Sequence, residues 1–520
     1  MKFTKIAVAT GLALAAMSVQ AAGPTIPAGT KVIFLSGASA PDNFLADISS
    51  SMLTGVTAIR SKDSGVNHRA YLGKAAAGIT GVPVGTDILF IKRSAGGSVF
   101  GVDPMARAAR IQTLDLNSCI EETTTVGTGS SARTYNWSCD LKGIDPGVTG
   151  HATASNTGLV PDMGVSDVEP AMFKQPYNTE NGQAQLSNAE LGRLTNSPLN
   201  QIMMGIVATD AVAATTHISR AQYGAMLAGK IDNWSAIDGS EDPVVVCRRV
   251  DGSGTQTSYN WLFSGFPCNA STAGFADTPP AAASDSFGYD GAHLGTVADP
   301  IIIDPTAGFT VVENSGSGDV RNCLKAAQNG TVFNVKGGNN LNYRVRFDLV
   351  PNGTVAGNGG PSKAIGVLSL DSYTSAAPVS SAAGFSFRHL DGAGIFNGST
   401  QTSSVGATGI APSKDNLLNG KYDFVVELSM QKRNTSVTNV NGDVVPALSA
   451  DGVKNSFYTE FVKRAGATKY TGNDGGTFTS VPNAFATLPQ SASYTAKPLF
   501  VSKYSRNGNT CAPLVAFPSL

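Results

Sequence analysis

Residues 244–255 read VVVCRRVDGSGT, and this stretch predicts more about the fold than any other part of the chain. The apolar run that ends at Arg249 is typical of a buried strand, and the small residues from Asp251 to Thr255 are typical of a turn that opens a helix. An aromatic, amphipathic segment follows, up to Phe263. The stretch therefore predicts a strand, a tight loop and a helix in succession.

The same pattern occurs twice earlier in the chain. KVIFL at 31–35 is followed by SGASAP at 36–41, and DILFIKR at 87–93 is followed by SAGGS at 94–98. Helix-prone residues come next in both cases, at 42–48 and at 104–110. Strands that alternate with helices in this way indicate an α/β protein with layers of parallel strands.

These three junctions share a chemistry that suits anions. Backbone N–H groups at a helix start have no intrahelical partner, and that end of the helix is positive. Small residues let an anion approach these groups, and hydroxyls add donors. In RRVDGSGT the guanidinium of Arg249 offers a planar fork for two oxygens. Asp251 could orient this arginine, and the hydroxyls of Ser253 and Thr255 could donate to the anion. Gly252 and Gly254 would leave the backbone open to the anion.

A carboxylate cluster, DMGVSDVEP at 162–170, complements these donors. An ionised Asp167 only accepts hydrogen bonds, so it suits an anion that still carries a proton at neutral pH, as phosphate does and sulfate does not. Structural alternatives stay open. Asp167 could cap a turn before Pro170, Arg249 and Asp251 could form an ion pair that braces a turn, and the hydroxyls at 39, 94 and 98 could be plain N-caps.

Length and composition favour an exported protein of more than one domain. The 520 residues are too many for a single core. A basic start, an apolar run over 6–17 and a small-x-small site predict a signal peptide at 1–21, cleaved after Ala21. No second long apolar run suggests a membrane-embedded segment. A net charge of −1 without a basic run gives no reason to expect nucleic acid.

The six cysteines of an exported chain predict disulfides, with the segment 121–134 as a stapled hairpin or loop. Sequence neighbours favour Cys119–Cys139 and Cys247–Cys268, which leaves Cys323–Cys511, although other pairings of six cysteines are possible. The five histidines are scattered, so no zinc site is expected. We expect no cofactor and no catalysis, because no nucleophile-base pair or nucleotide loop is evident.

RRVDGSGT resembles the signature loop of the periplasmic phosphate-binding proteins of ABC uptake systems. GVSDVEP at 164–170 resembles the segment that carries their ligand-facing Asp, and the run from Ile218 to Trp234, with GKIDNW at its end, is similar to one of their helices. SGASAP, SAGGS and KAIGVL at 363–368 resemble further segments of the family, and all these matches occur in the same order along the chain as in the family. The resemblance implies the following ligand contacts: Arg249, Asp251, Ser253, Gly254, Thr255 and Asp167, with Ser39 or Ala40 at the first loop and Ser94 or Ala95 at the second.

Two departures from the family pattern affect hydroxyl donors. The family has Thr-Phe where this chain has Ala40-Pro41, and paired serines where it has Ser94-Ala95. Each change removes or moves a hydroxyl donor. The departures therefore weaken the expectation of selectivity for phosphate more than the expectation that an anion binds.

The resemblance also implies a two-lobed α/β fold of the type II periplasmic binding proteins. Each lobe would be a mixed, mostly parallel sheet flanked by helices, with a hinge of crossover strands at 202–208 and 422–429 and with disulfide-stapled insertions. Lobe I would comprise 22–207 and 425–520, and lobe II 208–424. The implied function is capture of phosphate or a related oxyanion in the periplasm, or outside the cell, for an inner-membrane ABC permease. Alternatives are an interaction protein that reuses this fold for a protein or an organic phosphate, and a secreted phosphatase.

Overall fold

A computed structural model describes residues 23–63, 66–127, 132–145, 156–180, 183–268, 293–304, 308–336, 342–349, 360–372, 384–392, 394–396, 409–466, 470–471, 477–478, 484–489 and 501–517. The predicted signal peptide and its cleavage site lie outside these residues. So do most of the loops predicted at 269–298, 352–360 and 398–409.

The strands, in chain order, are β1 Lys31–Gly37, β2 Leu53–Ser61, β3 His68–Ala75, β4 Asp87–Arg93, β5 Thr113–Leu114, β6 Ile120–Val126, β7 Arg133–Cys139, β8 Leu141–Lys142, β9 Met163–Ser166, β10 Leu194–Thr209, β11 Val245–Arg249, β12 Ile301–Ile303, β13 Thr310–Asn314, β14 Phe333–Lys336, β15 Asn342–Phe347, β16 Ala364–Ser369, β17 Phe385–Arg388, β18 Ile395–Phe396, β19 Val425–Arg433, β20 Val437–Thr438, β21 Val444–Val445, β22 Tyr470–Thr471, β23 Thr477–Phe478, β24 Phe485–Thr487, β25 Tyr504–Ser505 and β26 Val515–Ala516.

The helices are α1 Asp42–Ser51, α2 Asp103–Arg107, α3 Asn188–Leu191, α4 Arg220–Leu227, α5 Ser235–Asp238, α6 Gly254–Ser264, α7 Ser317–Asn329, α8 Lys414–Leu418 and α9 Gly452–Ala465. The predicted helix at 453–466 is thus confirmed as α9, and Asp451 caps its start by accepting from the N–H groups of Val453 and Lys454. The predicted helix at 104–110 is shorter, because Ala108 takes a left-handed conformation that ends α2.

The main sheet has two halves that share one long strand. Its order is β13-β11-β16-β10-β19-β9-β1-β4-β3-β2-β7-β6. The first part of β10 pairs with β19 from Leu194 to Met203, and its last part pairs with β16 from Met204 to Ala208. We call lobe I the half built on β9, β1 and β4, and lobe II the half built on β11, β13 and β16. This confirms the prediction of a two-lobed α/β fold.

The prediction of mostly parallel sheets is wrong. In the described part of the main sheet, nine strand pairs are antiparallel and five are parallel. One of the five parallel pairs joins β2 and β7. The other four involve strands that the sequence pattern identifies, since β1 lies between β4 and β9, and β11 lies between β13 and β16. Their near-continuous apolar runs are buried on both faces, as is usual for central parallel strands. The antiparallel pairs are formed by hairpins and by β10 and β19 with their neighbours. The sequence analysis did not predict that these pairs outnumber the parallel ones.

The disulfide prediction is correct for one bridge and wrong for two. Cys119 bonds to Cys139 and staples the predicted hairpin, which is formed by β6 and β7. Cys247 bonds to Cys323, and Cys268 bonds to Cys511. Cys247 lies in β11, and α7 packs against this strand and brings Cys323 to it. Proximity in sequence therefore gave the wrong partner for Cys247.

Candidate anion-binding site

Four strand-to-helix junctions meet where the two lobes face each other. Three of them are the predicted loops after β1, β4 and β11. The fourth follows β13, where Ser315, Gly316 and Ser317 lead into α7. The sequence analysis missed this junction, although the apolar run at 309–312 followed by SGSGD at 315–319 has the same pattern.

Arg249 is at the centre of these junctions, at the end of β11, and is fully buried. Its Nη1 donates to the hydroxyl of Ser39 in lobe I at 2.8 Å and to that of Ser317 in lobe II at 3.3 Å. Its Nε and Nη2 donate to the carbonyls of Asn314, at 3.2 Å, and Ser315, at 2.6 Å. One guanidinium thus connects the first, third and fourth junctions.

Asp167 approaches from lobe I, just after β9, and its side chain is 1% exposed. Its Oδ2 accepts a hydrogen bond from the Thr255 hydroxyl, with 3.1 Å between the two oxygens. Its Oδ1 is buried and accepts no hydrogen bond from the residues that the structure describes. Burial raises the pKa of Asp167 to about 6, against the opposing effects of Arg249, Thr255 and Ser98. Within the described part of the chain, Asp167 Oδ1 is thus an unused acceptor, and Arg249 is close enough to act on its carboxyl electrostatically.

The loop after β11 is shaped for close approach between the lobes. A Cβ on Gly254 would lie 2.2 Å from Ser98 Oγ and 2.8 Å from Asp167 Cβ. Gly97 has φ +81°, and a Cβ there would lie 2.8 Å from Ser253 Cα. The hydroxyl of Ser253 accepts from the N–H of Gln256 and caps α6. Glycines at 97 and 254 therefore let the lobes meet.

Asp251 does not contact Arg249. Its carboxylate forms an ion pair with Arg248, whose guanidinium also lies 3.6 Å from Glu313. Successive side chains of a strand point to opposite faces, so the arginine that Asp251 meets is the neighbour of the one predicted. The expected orientation of Arg249 by Asp251 is corrected accordingly.

The two predicted residues of the first loop both face lobe II, in different ways. Ser39 accepts from Arg249 and from the N–H of Ser317, the latter at 3.1 Å. Ala40 uses its carbonyl, which accepts from the hydroxyl of Ser369 at 2.9 Å. Of this pair, Ser39 is the residue that lies next to the guanidinium.

The second loop presents a different serine from the one predicted. The hydroxyl of Ser94 donates to Asp42 at 2.8 Å and accepts from Lys92 at 2.9 Å, while the carbonyl of Ala95 accepts from Arg93. Ser98, four residues on, accepts from the backbone N–H of Asp167 at 3.0 Å. The left-handed glycines at 96 and 97 turn the chain between the two serines. Ser98 thus occupies the place expected for Ser94.

Lys92 is a buried cation that the sequence analysis did not single out. Its Nζ donates to the carbonyls of Gly37, Ala38 and Arg93 at 2.8–3.2 Å and lies 3.4 Å from an oxygen of Asp42. Burial lowers its pKa to about 8, with Asp42 acting in the opposite direction. The signal was a lysine at the end of an otherwise apolar strand. Lys92 fixes the first loop to the second.

The fourth junction adds a further carboxyl and an amide. Asp319 Oδ2 accepts from the N–H of Gly316 and from the side-chain amide of Asn67 in lobe I, each at 2.9 Å. Burial, with Asp63 nearby, raises the pKa of Asp319 to about 6. This contact is a further hydrogen bond between the lobes.

Taken together, the junctions bring the Arg249 guanidinium, the hydroxyls of Ser39, Ser317 and Thr255, and the buried carboxyl of Asp167 into one region between the lobes. In the described ranges, no three His, Cys, Asp or Glu side chains are grouped so that they could hold a metal ion. Nor does any helix in the described part of the chain have the length and apolarity needed to cross a membrane. The arrangement is suited to binding an oxyanion that also offers a proton.

Comparisons with known proteins give only distant similarities. No protein-family model matches the sequence, and no curated protein matches it. Among solved structures, an ABC-type phosphate transport receptor from Vibrio cholerae is similar, with 12% identity, a TM-score of 0.33, and coverage of 83% of this chain and 93% of the other. PstS from Borrelia burgdorferi has 11% identity, a TM-score of 0.29 and coverage of 83% and 92%. An ancestral soluble variant of the human phosphate binding protein has 16% identity, a TM-score of 0.37 and coverage of 88% and 91%. Scores this low do not extend the ligands of those proteins to this chain.

Proposed function

We propose that the protein binds phosphate, or a related tetrahedral oxyanion that keeps a proton at neutral pH, between its two lobes and performs no chemistry on it. One observation carries the proposal. Arg249, from lobe II, and Asp167, from lobe I, are both buried where the lobes meet, and Asp167 Oδ1 has no hydrogen-bond donor among the described residues. A buried acceptor without a donor is costly, so a ligand O–H at this place would be stabilising.

The donors around Arg249 would bind the charged oxygens. In the ligand-free contacts the guanidinium uses the hydroxyls of Ser39 and Ser317 as acceptors. An oxyanion between the lobes would replace these contacts with shorter, charge-assisted ones, and the freed hydroxyls could turn to donate to the same anion. The hydroxyl of Thr255, now bonded to Asp167, could do likewise.

Asp167 would supply the selectivity. A phosphate that carries a proton can donate its O–H to the free Oδ1, whereas sulfate, with no proton, would place an oxygen lone pair against the carboxylate. The oxyanions that fit are therefore protonated ones, such as phosphate and arsenate.

The cellular role that we propose is that of an exported solute-binding protein of an ABC uptake system. It would work in the periplasm after removal of residues 1–21, with an inner-membrane permease as its partner. The lobe limits at 207–208 and 424–425 remain part of this proposal; the first lies in β10, which the two halves of the sheet share, and the second at the start of β19, which pairs with β10. Rotation about these strands would admit the ligand.

The test is a titration of the mature protein with phosphate, arsenate and sulfate while its unfolding is followed. At a hundredfold excess over Kd, a bound anion should stabilise the fold by about 2.7 kcal/mol. We expect this shift with phosphate and arsenate and a much smaller one with sulfate. The absence of a shift with all three anions would contradict the proposal, and so would hydrolysis of a chromogenic phosphate ester by the pure protein.

A further inference from the structure

Residues 501–517 form a segment that we call the C-terminal strap; it joins the main sheet only by a β-bridge between Val501 and Thr487 of β24 among the described residues. Its two short strands, β25 and β26, pair only with each other among the described strands. The strap contacts both β10 and β19. The carbonyl of Tyr504 accepts from Gln201 of β10 at 2.8 Å, and Glu427 of β19 accepts from the N–H groups of Arg506 and Gly508, each at 2.7 Å.

The strap is attached to lobe I through Glu169. The N–H of Thr510 donates to Glu169 Oε1 at 2.8 Å, and its hydroxyl donates to the other carboxylate oxygen. Glu169 is two residues beyond Asp167 in the same buried loop. The candidate ligand carboxyl and the anchor of the strap are thus on one short piece of lobe I.

The strap is attached to lobe II covalently. Cys511, next to Thr510, is bonded to Cys268, just beyond the end of α6. The guanidinium of Arg506 also lies 4.6 Å from the ring centre of Trp261 in the same helix. The 11 residues of α6 span about 16 Å. One end of this helix therefore bonds to Asp167 through Thr255, and the other end is held by the strap.

We propose that the Cys268–Cys511 bridge makes the C-terminal strap a covalent brake on separation of the lobes. It rests on the proposed function only in that the lobes must part to admit a ligand. If lobe II moves away from Asp167, the far end of α6 stays fixed to Cys511, and Thr510 stays bonded to lobe I. With the far end of α6 held in place, the lobes can part only by rotation about the strap, which restricts opening of the junctions at the start of α6.

The other two disulfides provide matched controls, because neither joins the lobes. Cys119–Cys139 staples the β6–β7 hairpin in lobe I, and Cys247–Cys323 joins β11 to α7 in lobe II. If any lost bridge loosened the protein in the same way, removal of Cys119–Cys139 would have the effect that we assign to Cys268–Cys511.

Hydrogen exchange of single amides in the ligand-free protein tests the brake. The N–H of Val99 in lobe I donates to the carbonyl of Gly252 in lobe II at 2.8 Å, so its exchange reports separation of the lobes. The N–H of Ile111 donates to Leu159 within lobe I at 2.9 Å and reports local opening there. In the Cys268→Ser/Cys511→Ser variant we expect exchange at Val99 to rise by about tenfold or more, and exchange at Ile111 to stay the same.

The Cys119→Ser/Cys139→Ser variant should leave exchange at Val99 at the wild-type rate. Equal rates at Val99 with and without the Cys268–Cys511 bridge would overturn the proposal, as would an equal rise in the control variant. If the double variant fails to fold, Glu169→Gln decides, since it keeps every disulfide and weakens only the anchor in lobe I. It should raise exchange at Val99 and not at Ile111, and no change at Val99 would refute the brake. No ligand is present in these measurements, so their outcome is separate from that of the phosphate titration.

Discussion

The hydroxyl of Thr255 in lobe II donates a hydrogen bond of 3.1 Å to Asp167 Oδ2 in lobe I. The first turn of α6 is therefore hydrogen-bonded to a buried carboxyl of the opposite lobe. The second oxygen of that carboxyl accepts nothing from the described residues. The same side chain therefore serves two purposes in the proposed function. One oxygen holds the lobes together, and the other is left for the ligand.

Asp167→Asn should weaken phosphate binding and reduce the preference over sulfate. An amide in this place offers N–H donors, which suit the lone pairs of sulfate, and its single acceptor oxygen is already claimed by Thr255. We expect a loss of about 1–3 kcal/mol for phosphate and a gain for sulfate, measured by calorimetry. Asp251→Asn is the matched control, because its carboxylate is on the neighbouring loop and pairs with Arg248. Equal losses in both variants would contradict the role of Asp167.

Arg249→Lys should reduce anion affinity even though the charge is kept. A lysine cannot reproduce the planar fork that reaches Ser39, Ser317 and the carbonyl of Asn314 together. A loss of about 2–3 kcal/mol in binding is expected by calorimetry. Arg248→Lys, next in sequence and also buried, should leave phosphate affinity unchanged, because Arg248 pairs with Asp251 and Glu313. The assignment fails if the two variants bind phosphate alike.

Gly97→Ala should impair binding beyond its effect on stability. Its φ of +81° strains any side chain, and the added Cβ would also lie 2.8 Å from Ser253 Cα and 3.0 Å from Arg249 Nη2. Gly85→Ala separates the two effects, since Gly85 has φ +84° and nothing within 4 Å of the added atom. Each variant should lose about 1–3 kcal/mol of unfolding free energy from backbone strain, with a further loss at Gly97 from the close contacts. Only Gly97→Ala should also lower phosphate affinity, so unchanged affinity in that variant would argue against contact between the loops.

The contributions of Asp167 and Asp319 to the free energy of unfolding of the ligand-free protein should fall as pH rises from about 4 to about 7. Buried His68, whose pKa is lowered to about 3, acts in the opposite direction. The pKa values of Asp167 and Asp319 are raised to about 6 by burial, whereas in the unfolded chain they are near 3.8. At these two carboxyls the folded state therefore binds more protons, and stability that is complete below the unfolded pKa is lost as pH rises through the folded pKa. For Asp167 the loss is about 3 kcal/mol at most. Denaturant unfolding at several pH values should show a slope against pH that is more positive in Asp167→Asn, and an unchanged slope would contradict the raised pKa.

Much of the site could be predicted because its signals are local. An apolar run followed by small residues is enough to predict a strand, a loop and a helix start, and this pattern led to Ser39, Arg249 and Thr255. The junction before α7 carries the same pattern, so Ser317 was within reach of the same reasoning. Within each lobe the central strands are parallel, so the loops that follow them lie at the same edge of the sheet.

What the sequence could not provide depends on torsion angles and on distant contacts. The sequence alone does not distinguish the hydroxyls of Ser94 and Ser98. The left-handed turn at Gly96 and Gly97 determines that Ser98, and not Ser94, lies next to Asp167 and accepts from its N–H. Asp251 stands two residues from Arg249, but its carboxylate meets Arg248. The antiparallel majority of the main sheet escaped prediction for a similar reason, because pairing is set by partners far away in the chain.

The order of the cysteines has a consequence for how the molecule is made. A chain emerges from its N-terminus, and the members of the three native pairs are 20, 76 and 243 positions apart. Cys268 meets a free Cys247 long before Cys511 has been synthesised, so oxidation in order of appearance yields non-native pairs. Native pairing would then need reshuffling, and we expect a thiol-disulfide isomerase to speed it, since reshuffling is otherwise slow. A recombinant preparation made without one can have the correct mass and no free thiols and still contain scrambled molecules, which peptide mapping would reveal.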